Sequence, residues 1–146
     1  MIDKIELKPC LEEIILQLLP LAEARKCQLR NNLAQHISVM TNREAFLFVM
    51  KRLLTLIIHS SHNSTICISN SREGDKLSII IQDDNNDYSG FISGKMEKHQ
   101  LILKKAGCYL SFEFNEKKSI TVILHFNDKK ISGRRIADWK KPFTAQ

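Results

Sequence analysis

Met50-Lys51-Arg52-Leu53-Leu54-Thr55-Leu56-Ile57-Ile58-His59-Ser60-Ser61 is the stretch on which the reading of this 146-residue chain turns. Apolar residues recur at 50, 53, 54, 57 and 58, and upstream at Phe46 and Val49, which is the spacing of one buried helical face. Asn42 is a suitable N-cap, Glu44 falls in the first turn, and the polar run Ser60-Ser61-His62-Asn63-Ser64 ends the pattern. A buried helix over these residues is therefore expected.

Working outward, residues 9–25 read as a first amphipathic helix. Pro9 suits its first turn, Glu12 and Glu13 its positive end, and Leu11, Ile14, Ile15, Leu18, Leu19 and Ala22 its apolar stripe. Pro20 inside that stripe is expected to kink or split the helix. Short strands are expected around Gln28–Leu33 and Ile37–Met40, with Asn31-Asn32 marking a bend. After the second helix come strands at Thr65–Ser69 and Lys76–Gln82, joined through Ser71-Arg72-Glu73-Gly74-Asp75. Residues 83–94 read as a polar loop and Lys95–Lys105 as a third helix, stopped by Gly107. Two further strands, Cys108–Asn115 and Ser119–Asn127, flank Glu116-Lys117-Lys118. This order predicts an α+β fold: a two-layer α/β sandwich with a mixed, mostly antiparallel sheet and about three helices on one face.

Composition sets the class. A hydrophobic share of 43% and a charged share of 26% are those of an ordinary globular protein. No apolar run approaches the ~18 residues of a membrane span, and the first residues, with Asp3, Lys4 and Glu6, hold no signal-peptide core. Cys10, Cys27, Cys67 and Cys108 lie far apart without a Cys-x-x-Cys pair, as expected of reduced thiols in a cytoplasmic protein. Of the formal net charge of +6, the stretch 128–146 carries +4: six Lys and Arg against Asp128 and Asp138. The sequence thus divides into a nearly balanced domain, 1–127, and a basic tail or linker, 128–146. The balance of the domain argues against a nucleic-acid-coated face.

The central helix and the segments around it resemble the histidine-kinase-type ATPase domain of the GHKL superfamily, in which the corresponding helix reads roughly Leu-Leu-Asn-Leu-Leu-Ser-Asn-Ala-Ile-Lys-Tyr-Ser. The resemblance runs from about Ile5 to Phe126. It includes Ile5-Glu6-Leu7-Lys8-Pro9-Cys10-Leu11-Glu12-Glu13-Ile14 and Pro20-Leu21-Ala22-Glu23-Ala24-Arg25-Lys26 for the first helix and its exit. Asn42, Phe46, Val49 and Met50 precede the helix motif as in the family. It implies the Bergerat-type ATPase fold, ATP with Mg²⁺ as cofactor, and protein partners of the two-component kind: a phosphoacceptor helix bundle, a sensor kinase or a response regulator. It also implies a bacterial signalling setting.

Carried over residue by residue, the same resemblance implies a degenerate nucleotide site. Arg52 stands at the first Asn position, where ATP-hydrolysing relatives place a Glu base. Leu56 stands at the second, whose side chain helps hold magnesium; a hydrocarbon cannot ligate a cation that demands oxygen donors. His59 takes the place of a phosphate-facing Lys. Ile79-x-Ile81-x-Asp83 matches the strand entering the Asp-x-Gly-x-Gly box, so Asp83 retains the carboxylate that accepts from the adenine amino group. Asn85 and Asp87 replace the two glycines, whose freedom at positive φ lets backbone approach the nucleotide. Only Tyr88–Lys95 stands for the long lid, and no phosphoacceptor helix is present.

Each feature also has a plainer reading. Asp83 can cap a turn at a strand end, and that role is the one favoured here. Asp83-x-Asn85-x-Asp87 begins like a calcium loop but lacks the Gly and Glu that such a loop needs. His59-x-x-His62 has no third ligand, so no metal site is expected, and two histidines at a helix C-terminus suit its dipole. Arg52 can pair with solvent or a carboxylate rather than phosphate. The tail, with Ile131, Ile136, Trp139 and Phe143 among its basic residues, can be a solvated linker or a docking segment. The favoured expectation is a signalling or regulatory protein-interaction module that has lost nucleotide binding. The alternatives are an ATP-binding kinase domain that uses Asp83 for adenine and Arg52 or His59 for phosphate, and a nucleic-acid-binding module driven by the tail.

Overall fold

The computed structural model describes residues 2–87, 89–114 and 117–127. The basic stretch 128–146, Tyr88, Asn115 and Glu116 lie outside the described residues. A short strand β1 (Asp3–Glu6) leads directly into helix α1 (Leu7–Ala24), followed by β2 (Gln28–Asn31), β3 (Ser38–Thr41) and the central helix α2 (Arg43–Ser60). Next come β4 (Thr65–Glu73), β5 (Lys76–Asp83), helix α3 (Ser89–Met96), a 3₁₀ turn (Glu97–His99), helix α4 (Gln100–Ala106) and the closing pair β6 (Cys108–Phe114) and β7 (Ile120–Phe126).

The main sheet has the order β2-β4-β5-β7-β6; only β2 and β4 run parallel, and β1 pairs with β3 in a separate antiparallel ribbon. The expected α+β sandwich with a mixed, mostly antiparallel sheet is the observed architecture. Alternation builds it. Ile66, Ile68, Leu77, Ile79, Ile81, Ile120, Val122 and Leu124 are buried on the helix side, and their neighbours on the strands face outward. Phe46 of α2 meets Phe126 of β7 with ring centroids 5.8 Å apart, and Met50, Leu53, Leu54, Ile57 and Ile58 are all at most 1% exposed. The quoted stretch is thus the inner wall of the core, as its spacing predicts.

Asn42 caps α2: its side-chain oxygen accepts from the Ala45 N–H at 3.0 Å. Gly107 stops α4 at φ 73°, the left-handed conformation that glycine adopts without strain. Four expectations need correction. Helix α1 starts at Leu7, two residues early, because β1 feeds straight into it; Glu12 and Glu13 consequently sit beyond the first turn. Pro20 does not split α1. Both Pro20 and Leu16 face solvent, where water can take the carbonyl that proline leaves without a donor. The Asn31 bend ends β2 altogether, since the Asn31 carboxamide oxygen accepts from the Leu33 N–H at 3.2 Å and closes a local turn. The largest correction concerns residues 83–94. Their second half is helical, and the third helix is broken by the 3₁₀ turn into α3 and α4. Ile92 and Met96, 0% and 1% exposed, supply burial that a polar-loop reading does not weigh.

On the outer face, His125 of β7 stacks on Tyr109 of β6 with centroids 4.5 Å apart. Its Nε2 lies 2.8 Å from the Ser111 hydroxyl and its Nδ1 3.4 Å from that of Ser78. Burial, with a smaller contribution from Lys76, holds the imidazole pKa below 6.5. The unfolded chain therefore binds the proton more readily than the native one, and stability falls as pH drops through about 6.5 and below. Urea midpoints at pH 7.5 and 5.5 check this. His125→Gln is expected to shrink the acid-induced loss seen in the parent chain, and an unchanged loss would refute the assignment.

Candidate functional site

The residues that the sequence marks for nucleotide chemistry fall into two groups. Arg52, Leu56 and His59 lie on one side of α2, at spacings of four and three residues. Leu56 is 3% exposed and belongs to the continuous hydrophobic core. Arg52 is half-buried and His59 exposed. The Arg52 charge acts on His99 in the 3₁₀ turn, where burial is the larger cause that holds the imidazole pKa below 6.5; Phe48 meets that ring edge-on at 5.1 Å.

Asp83, Asn85 and Asp87 form the second group, in the loop leaving β5. Asp83 is 1% exposed, and its carboxylate is held on both oxygens by this chain's own donors. Oδ1 accepts from the Ser64 hydroxyl at 2.7 Å and from the Asn85 N–H at 3.2 Å, and Oδ2 accepts from the Asn86 amide at 3.1 Å. The contact from Asn85 is the short-range turn typical of Asp at a strand end. Because the Ser64 proton is committed to Asp83, Ser61 must donate to Ser64 at 2.7 Å, and the Cys27 thiol lies 3.4 Å from Ser61. The result is a partly buried relay, Cys27–Ser61–Ser64–Asp83, that ties the start of β2 and the exit of α2 to the end of β5.

The same loop is sewn to the end of α2 by further bonds. The Asn86 amide also donates to the Ile57 carbonyl at 3.1 Å, and the Asp87 N–H to the Ser60 carbonyl at 2.9 Å. The Asn85 side chain donates to the His62 carbonyl at 2.7 Å, and the Asn86 N–H to Lys118 at 2.8 Å. Asp87 points outward, 3.1 Å from the Lys118 ammonium and 3.5 Å from His62 Nε2. Arg25 closes the rim through the Ser61 carbonyl at 3.0 Å and His62 Nδ1 at 3.5 Å. Exposed pairs of this kind contribute little singly, ~0–1 kcal/mol; the buried bonds around Asp83 carry the weight.

Sequence reasoning missed Ser64, Asn86, Ser61, Arg25 and Lys118. Serines and asparagines in polar runs carry no spacing that tells a buried bond from a solvated loop; only Asn86, standing between two expected site residues, had a position to suggest it. Among the described residues, no three His, Cys, Asp or Glu side chains gather as metal ligands. No described helix is long and apolar enough to cross a membrane.

The order of elements can now be set beside solved structures. The Acinetobacter baumannii histidine kinase AdeS superposes with a TM-score of 0.75 at 13% identity, over 88% of this chain and 68% of that one. The catalytic domain of the histidine kinase ThkA, in a nucleotide-free form, gives 0.72 at 12% identity, over 88% and 97%. This chain has the fold of a histidine-kinase catalytic domain. The mycobacterial sensor histidine kinase MprB is similar as well, with a TM-score of 0.68 at 6% identity over 86% and 97% of the two chains. At these identities the likeness is one of fold. No protein-family model matches the chain, and no curated protein matches its sequence. Within this histidine-kinase-like fold, α2 is the helix that resembles the nucleotide-site helix in sequence, and Asp83 ends the strand that resembles the approach to the glycine box.

Proposed function

We propose that this histidine-kinase-like domain no longer binds nucleotide and works as a regulatory protein-interaction module in two-component-type signal transduction. The observation that carries the reading is the burial of Asp83 among the chain's own donors. A carboxylate that is 1% exposed and already accepts from Ser64, Asn85 and Asn86 is closed to an adenine amino group arriving from solvent, and opening it would break those bonds. Two further observations support it. Leu56 offers hydrocarbon where magnesium needs oxygen, and Ile92 and Met96 of α3 are sealed into the same core as α2.

The histidine kinase ThkA, 42% of which this chain matches, has been solved in complex with the response regulator TrrA. For the present chain we propose a partner of the same class, a response regulator or the phosphoacceptor helix bundle of a sensor kinase. The module would be residues 1–127, with 128–146 as a basic extension. Such docking needs helix surfaces and not a loaded nucleotide pocket. Binding of the purified chain to candidate bundles and regulators, measured by calorimetry with and without saturating Mg-ATP, tests this. Binding that is indifferent to ATP is the expected result. Binding that requires ATP, or no partner across a cognate set, would overturn it.

A further inference from the structure

A cavity of about 290 Å³ opens at the β6 edge of the sheet, beneath the α3–α4 junction. None of the six positions marked for nucleotide lines it. Its floor is Met96, Leu103 and Leu110, each 1% exposed, so it is built from the rigid core. One wall is aromatic: Phe112 and Phe114 of β6 stack with centroids 6.0 Å apart and an interplanar angle of 21°. Phe114 remains 42% exposed, an apolar surface left facing the opening. At the rim stands Glu97, exposed, from the 3₁₀ turn. Among the described lining side chains it alone carries a formal charge.

From this combination we infer a binding site for a small organic cation: an ammonium carried on a compact apolar body. An apolar floor with a few polar groups at the mouth is the usual build of a ligand pocket, and this volume lies near the lower end of the usual range. The stacked Phe112–Phe114 pair lines one wall, where aromatic rings tolerate a cation better than an anion, and the carboxylate at the rim favours positive over negative charge. An anion of the same shape would meet the Glu97 carboxylate at the mouth. The site therefore selects by charge as well as by size, and it stands apart from the nucleotide question.

Phenethylamine and 3-phenylpropionate, which share the ring and differ in charge, are the probes. Titration of the full chain, followed by NMR of methyl groups, is expected to give saturable shifts at Met96, Leu103 and Leu110 with millimolar phenethylamine. 3-Phenylpropionate is expected to bind about fivefold more weakly, the upper range of an exposed ion pair. Glu97→Arg, at an exposed position outside the core, should reverse the order of the two probes without altering the fold. Absence of shifts at these methyls, equal affinity for the two probes, or an order unchanged by Glu97→Arg would each overturn the proposal. None of those failures touches the reading of Asp83, which the nucleotide titration addresses separately.

Discussion

Asp83→Ala is expected to lower folding stability by about 2–3 kcal/mol, because it strands the buried Asn86 amide and takes the acceptor from the half-buried Ser64 hydroxyl and Asn85 N–H. Each was satisfied by one carboxylate that is itself 1% exposed. Asn86 keeps its bond to the Ile57 carbonyl, and Ser64 can rotate towards Ser61, so the loss is less than three full desolvation penalties. Asp83→Asn, which keeps one acceptor oxygen but turns an NH₂ towards those donors, should lose less than the alanine. Urea unfolding of the three proteins checks the series. An Asp83 that serves only as an adenine anchor predicts the reverse, with stability unchanged and nucleotide affinity gone. A loss below about 1 kcal/mol would contradict the clasp.

The second large effect is expected at Leu56. Leu56→Asn restores, on paper, the residue that the resemblance places beside magnesium. Leu56 is 3% exposed and packed in the continuous core. The substitution removes buried hydrocarbon and introduces an amide with no arranged partner, so a loss of about 3–4 kcal/mol is expected. No gain of Mg-ATP binding should follow, because Asp83 stays committed and α3 still covers α2. Thermal or urea unfolding measures the first part, and calorimetry with Mg-ATP the second. A stable variant that binds Mg-ATP would show that the site was a nucleotide pocket lacking a single ligand.

What the sequence made legible, and what it did not, follows from the physics of each signal. The spacing of Met50, Leu53, Leu54, Ile57 and Ile58 located the core helix, and Asn42 and Gly107 marked true helix ends. These signals are local, since a cap or a periodic stripe acts over one or two turns. The helix at Ser89–Met96 was not legible. Its two Ser and two Gly have weak helix propensity, and tertiary packing of Ile92 and Met96 overrides it. The clasp was half legible. Asp83, Asn85 and Asp87 were singled out by resemblance, but their partners Ser64, His62 and Lys118 come from distant segments. Pairing across long separations leaves no mark in a single chain. The resemblance itself held at the level of fold: solved histidine-kinase catalytic domains superpose over most of the chain at identities as low as 6%.

The most direct test of the central claim is a titration of the purified chain with ATP and with ADP, each with and without Mg²⁺, read by amide NMR shifts. The account predicts no saturable change at millimolar nucleotide for residues of α2 or of the Asp83–Asp87 loop. Magnesium-dependent shifts centred on Asp83 and Leu56 that vanish in a folded Asp83→Asn variant would contradict it, and the chain would then be a nucleotide-binding domain with a rebuilt pocket.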